Sequence, residues 1–173
     1  WGTTADNGIW AWGKAANAPV AVAKGWGIDR LSGKFALKVR TSGRCFDMTG
    51  KKQKGVRQHQ WDCNPGNKNQ QFFAEYVGGE WFRIRSVISN RCVDVSGVSK
   101  NRGAAIHQWD CHNGANQKWR IVKRGGGWNS LVAQHSNKCL DLAEGKKNNG
   151  AQFHQWDCNA KNSNQLFQVI GVR

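Results

Sequence analysis

From residue 33 onward, short runs of alternating or wholly apolar residues are separated by turns rich in Gly, Asn and Lys. Alternation with period two marks a strand with one buried face, and runs this short suit strands between turns. The pattern predicts strands at 34–40, 44–48, 56–61 and 71–76, then at 81–87, 91–95, 104–109 and 118–122, and finally at 128–134, 138–142, 151–156 and 166–170. No helical stretch competes, so the expected fold class is all-β.

The pattern is written three times. The string HQWDC occupies 59–63, 107–111 and 154–158. A Cys-x-Asp precedes each copy, at Cys45 to Asp47, Cys92 to Asp94 and Cys139 to Asp141. An Asn-Gln-x-aromatic follows each, at Asn69 to Phe72, Asn116 to Trp119 and Asn164 to Phe167. The spacing is 47 or 48 residues, giving repeats of about 33–79, 80–126 and 127–173. Four short strands cannot bury a face alone, so three units are expected to close around one pseudo-threefold axis. Phe72, Trp119 and Phe167 are read as core.

Composition narrows the class. The 173 residues carry 26 Lys and Arg against 11 Asp and Glu, a net charge of +15. Ten Trp and seven Phe supply enough ring surface for a core and argue against disorder. No run approaches the ~18 apolar residues of a membrane span. No signal peptide is visible and the first residue is Trp1, as expected of a processed or trimmed chain. Six Cys without a Cys-x-x-Cys pair favour disulfides in an oxidising compartment over a zinc site or a redox motif.

Cys-x-Asp, aromatic-x-Cys and Asn-Gln-x-Trp/Phe, three times over, resemble the ricin B-type (R-type) lectin family across about 33–173. The resemblance implies a β-trefoil: six two-stranded hairpins, three forming a short barrel and three a cap. The pairing that respects the repeat is Cys45–Cys63, Cys92–Cys111 and Cys139–Cys158, and it matches the bridge of that family.

Strand alternation puts His59 and Trp61 on one face, with Gln60 on the other; His107 and Trp109, and His154 and Trp156, follow suit. An indole covers the C–H patch of a pyranose, and a carboxylate accepts from neighbouring hydroxyls. A carboxamide both donates and accepts. The resemblance implies sugar contacts from Asp47, Trp61 and Asn69, with Gln70 supporting the Asp. Repeat two has Asp94, Trp109, Asn116 and Gln117, and repeat three has Asp141, Trp156, Asn164 and Gln165. His59, His107 and His154 stand where plant galactose-binding members carry Gln, which predicts binding that changes between pH 5 and 8, around the ordinary His pKa of ~6.5. Each residue also has a structural reading: Asp accepting turn N–H groups, Trp in the core, Gln in the scaffold, His as a solvated strand residue. Asp62, Asp110 and Asp157 are read as turn or surface groups.

Between 33 and 173, 23 cations face nine acids, six of which belong to the repeated motif. Lys51-Lys52-Gln53-Lys54 and Lys146-Lys147 lie between the Asp and Trp strands, and a positive rim there would attract anionic glycans. No nucleic-acid motif is present. Residues 1–32 form an arm with Trp1, Trp10, Trp12 and Trp26. It is expected to pack on the trefoil or to contact a partner protein. The expected function is a secreted, non-enzymatic lectin without cofactor or metal, binding glycans of galactose/GalNAc type or anionic glycans at up to three sites. The alternatives are an interaction module docking a partner through the arm, and a cationic binder of microbial surfaces.

Overall fold

The structure, a computed structural model, describes residues 33–172. The expectations for residues 1–32 lie outside them. Twelve strands are present: β1 (Lys34–Val39), β2 (Cys45–Asp47), β3 (His59–Trp61), β4 (Phe72–Gly78), β5 (Trp81–Ser86), β6 (Cys92–Val95), β7 (Ile106–Trp109), β8 (Trp119–Gly125), β9 (Trp128–Ala133), β10 (Cys139–Leu142), β11 (Phe153–Trp156) and β12 (Phe167–Val172). Single 3-10 turns are the only helical elements among the described residues, and no helix is long and apolar enough to cross a membrane.

Six strands close a ring. β12 pairs with β1, β1 with β4, β4 with β5, β5 with β8, β8 with β9, and β9 with β12. The first and last strands run in register from Lys34↔Val172 to Val39↔Phe167, so closure removes the edges that would otherwise recruit other chains. The hairpins β2–β3, β6–β7 and β10–β11 form the cap over one end. Both together are the β-trefoil.

Alternate barrel residues point inward and meet the cap in one core. Phe35, Leu37, Phe72, Trp119, Leu131 and Phe167 are fully buried with Phe46 and Phe153 from the cap. The Phe46 and Phe153 rings lie 4.8 Å apart across repeats. The Trp119 indole donates to the Val93 carbonyl at 3.2 Å, which satisfies its N–H in the core.

Two kinds of boundary differ from the sequence expectation for a physical reason. β4 and β8 run on to Gly78 and Gly125, because tips at Gly78-Gly79 and Gly125-Gly126-Gly127 adopt positive φ and let the hairpins extend. The expected strands 56–61, 104–109 and 151–156 begin only at His59, Ile106 and Phe153, because the residues before them leave their own hairpin and bridge other repeats. Arg57 pairs with His107, Ala105 with His154, and Gln152 with His59.

Cys45–Cys63, Cys92–Cys111 and Cys139–Cys158 are bridged, and no free cysteine remains among the described residues.

Candidate functional site

Each site starts at the end of a cap hairpin. β2 and β3 pair so that Asp47 lies opposite His59 and Cys45 opposite Trp61. Asp94 faces His107, and Asp141 faces His154, in the same register. Residues opposite each other in an antiparallel pair share a face, so carboxylate, imidazole and indole stand side by side.

The three carboxylates are 2–3% exposed and bound by side chains. Asp47 Oδ1 accepts from the Thr49 N–H at 2.7 Å and from His59 Nε2 at 3.2 Å, and its Oδ2 accepts from Gln70 Nε2 at 3.0 Å. Asp94 Oδ1 accepts from His107 Nε2 at 2.8 Å, and Oδ2 from Asn116 at 2.9 Å and Gln117 at 2.8 Å. Asp141 accepts from His154 at 3.1 Å, Gln165 at 2.7 Å and Asn162 at 3.3 Å. An ionised carboxylate only accepts, so each neutral imidazole carries its proton on Nε2. Burial pushes the Asp47 carboxyl up, but the bonds from His59, Gln70 and Thr49 outweigh it and hold the pKa below the usual carboxylate value.

The Gln of each Asn-Gln pair has a second task. Gln70, Gln117 and Gln165 also donate to the carbonyls of Asp62, Asp110 and Asp157, and accept the N–H of Asn64, His112 and Asn159. The loop after each Trp strand is thereby locked to the Asp.

The indoles lie outside this polar core. Trp61 is 46% exposed, Trp156 is 40% exposed, and Trp109 is partly buried. Each packs on its own His, with ring centroids 5.4, 5.3 and 5.2 Å apart for His59–Trp61, His107–Trp109 and His154–Trp156. The structure therefore brings Asp, His, Trp and Gln together in all three repeats, while the Asn positions diverge. Asn116 reaches its Asp. The Asn69 side chain lies beside Gly50 instead, and Asn164 accepts from the Thr41 hydroxyl at 2.7 Å. The residue two positions earlier differs in the same way. Asn67 and Asn162 cap the turns before Asn69 and Asn164, whereas repeat two has Gly114 there and no side-chain cap.

Three features escape a reading confined to single repeats. Gln60, Gln108 and Gln155, fully buried, each donate to two backbone carbonyls of a neighbouring repeat: Lys146 and Asn148, Lys51 and Gln53, Ser99 and Asn101. Asp62, Asp110 and Asp157 are surface groups, as expected, but they also clasp repeats together. Asp62 meets Arg44 at 3.2 Å and Asn149 at 2.9 Å; Asp110 meets Arg91 at 3.0 Å and Lys54 at 3.7 Å; Asp157 meets Lys138 at 2.8 Å and Arg102. Finally, His112 brings its Nε2 to 3.5 Å from Asp94, where the other repeats have Asn64 and Asn159. Among the described residues no cluster of three His, Cys, Asp or Glu is arranged for a metal ion.

Several solved structures share the architecture. The designed threefold-symmetric protein ThreeFoil superposes with a TM-score of 0.77 at 28% identity, covering 80% of this chain and 99% of that one. An exo-β-1,3-galactanase from Clostridium thermocellum gives the same TM-score and identity, but only 30% of its chain is covered. The C-half of the earthworm R-type lectin in complex with GalNAc matches at 20% identity with a TM-score of 0.63, covering 80% of this chain and 98% of that one. No curated protein sequence matches the chain significantly. The model of the ricin-type beta-trefoil lectin domain-like family matches residues 23–109, 68–156 and 115–172 in overlapping register. The repeat, the trefoil and that match together place this chain in the ricin-type β-trefoil lectin family.

Proposed function

We propose that the chain is a secreted, non-catalytic, multivalent carbohydrate-binding protein with one glycan site per repeat. The observation that carries this reading is the triplicated cluster of a buried Asp, a His bonded to it and a solvent-facing Trp. The indole offers a face for the C–H side of a sugar. The imidazole that each Asp holds in place offers a fixed partner for a hydroxyl, joined in repeat two by Asn116. Three copies of one constellation suit multivalent binding better than a single catalytic centre. The bridged cysteines hold no nucleophilic thiol and fit an oxidising, extracellular setting. The GalNAc of the earthworm lectin makes galactose and GalNAc the first sugars to test.

A single sugar contact is small and its affinity weak, so function rests on avidity at glycan-covered surfaces. The triple variant Trp61→Ala, Trp109→Ala, Trp156→Ala is expected to keep its melting transition and to lose agglutination and glycan-array binding. Normal glycan binding by that variant would refute the assignment.

A further inference from the structure

The three sites share a buried core and differ at the rim, where each borrows residues from another repeat. The Lys51–Arg57 loop of repeat one lies against the repeat-two site. There Lys54 Nζ stands over the Trp109 ring, 5.1 Å from its centroid, and Gly55 abuts the same indole. Exposed Arg57 bridges to His107, so both side chains leave the sheet on the same side. At the repeat-three site the equivalent positions are Arg102, 5.9 Å over Trp156, and Ala105 beside His154. At the repeat-one site they are Asn149 and Gln152, and neither carries charge. At site two, Lys54 and Arg91 both pair with Asp110, and the exposed Arg57 bridges to His107; at site one, Arg44 pairs with Asp62.

Site two also holds polar groups that the other two sites lack. Asp94 accepts three hydrogen bonds, as Asp47 and Asp141 do, but here alone among the three a second imidazole, His112, stands 3.5 Å from the carboxylate. His112 adds a half-exposed imidazole found in no other repeat. The concavity, about 320 Å³, holds one orphan acceptor: Asn116 Oδ1, buried and without a partner among the described residues. A buried acceptor of this kind calls for a donor such as a sugar hydroxyl.

Resting on the lectin reading above, we infer that the repeat-two site takes a sugar ring bearing an anionic group, a carboxylate or a sulfate ester. A ring hydroxyl donates to Asn116 Oδ1, and Lys54 and Arg57 from repeat one hold the charge. Exposed cation–anion contacts are individually modest, so the two together give about a three- to tenfold preference that salt erodes.

The test uses the full chain carrying Trp61→Ala and Trp156→Ala, which leaves site two alone. Galactose, galacturonate and galactose 6-sulfate are titrated by ligand-observed NMR at low and high salt. Tighter binding of galacturonate or the sulfate than of galactose is expected, and which of the two wins identifies the anion. Lys54→Asn with Arg57→Gln, the residues repeat three supplies to site one, should abolish the preference, read in that variant as the ratio of galacturonate or sulfate affinity to galactose affinity. Conversely, Asn149→Lys with Gln152→Arg in a chain carrying Trp109→Ala and Trp156→Ala should confer the preference on the Trp61 site. Equal affinities for all three probes, or a preference that survives Lys54→Asn with Arg57→Gln, would overturn the inference while the lectin reading stands. No binding of any probe by the otherwise unaltered chain would overturn both.

Discussion

The inside of the cap and its rim follow the threefold repeat to different degrees. Inside, Gln60, Gln108 and Gln155 make the same pair of cross-repeat bonds, and Gln70, Gln117 and Gln165 each hold an Asp and a loop carbonyl. At the rim, Lys54, Arg102 and Asn149 fill one position with three chemistries. Energetic cost separates the two regions. A buried donor or carbonyl left unpaired costs about 1–3 kcal/mol, whereas an exposed substitution usually moves stability by under ~0.5 kcal/mol. The interior is held to one solution, and the rim is free to vary. Differences in sugar preference among the sites are therefore expected at the rim.

The sharpest way to break this comparison is Gln155→Leu. It removes the amide donors to the Ser99 and Asn101 carbonyls, which keep only His135 Nε2 and the Ala104 N–H, and the acceptor of the Ser136 hydroxyl, all at a fully buried position. A loss of about 2–4 kcal/mol is expected, read as a lowered urea midpoint at unchanged slope. A loss as small as that of a rim substitution would erase the distinction.

Next in size is Gly114→Ala, which probes a place where the interior itself departs from symmetry. Gly114 has φ of −60°, so alanine meets no backbone strain there. Its Cβ, however, would sit 2.6 Å from the His112 ring and 2.7 Å from Asn116 Oδ1. One of those side chains must leave, at about 1–3 kcal/mol for overpacking. Glycan binding at Trp109 should fall, with binding at Trp61 and Trp156 unchanged, in protein variants that isolate each site.

These residues also mark what could be read from the sequence. All twelve strands, the three disulfides and the shared face of each His and Trp were legible, because each depends on spacing within one repeat. Alternation alone put Gln60, Gln108 and Gln155 on the face away from Trp. Their task was hidden, since their partners lie 54 to 88 residues away and meet only on closure. The same holds for Lys54 over Trp109: aligning repeats compares equivalent positions and says nothing of which loop lies over which neighbour. Asn69, Asn116 and Asn164 looked equivalent by motif, yet only Asn116, in the repeat with Gly rather than Asn two positions earlier, reaches its Asp. A line-by-line comparison of the three repeats for such swaps would have pointed to site two.

Acid sharpens the comparison from the electrostatic side. Bonds from His59, Gln70 and Thr49 depress the Asp47 pKa against its burial. A depressed carboxylate contributes stability that is whole above the unfolded pKa of about 4 and is lost as pH falls through the lower folded value. Urea midpoints measured from about pH 6 to about pH 2 should be level at first and then decline, and Asp47→Asn should make the decline shallower. A decline identical in slope and position would mean that these bonds do not favour the charged form.

The smallest effect belongs to the clasp at the rim. Asp62 is largely exposed, and its contacts to Arg44 and Asn149 join repeat one to the loop of repeat three. Asp62→Asn removes the charge and keeps a similar shape. Exposed pairs of this kind contribute about 0–1 kcal/mol and are screened by salt. The variant should therefore melt close to the parent chain, and the remaining difference should vanish at high salt. A larger, salt-independent loss would show that the clasp belongs with the buried glutamines, and that the rim is tied to the fold more tightly than its varied residues suggest.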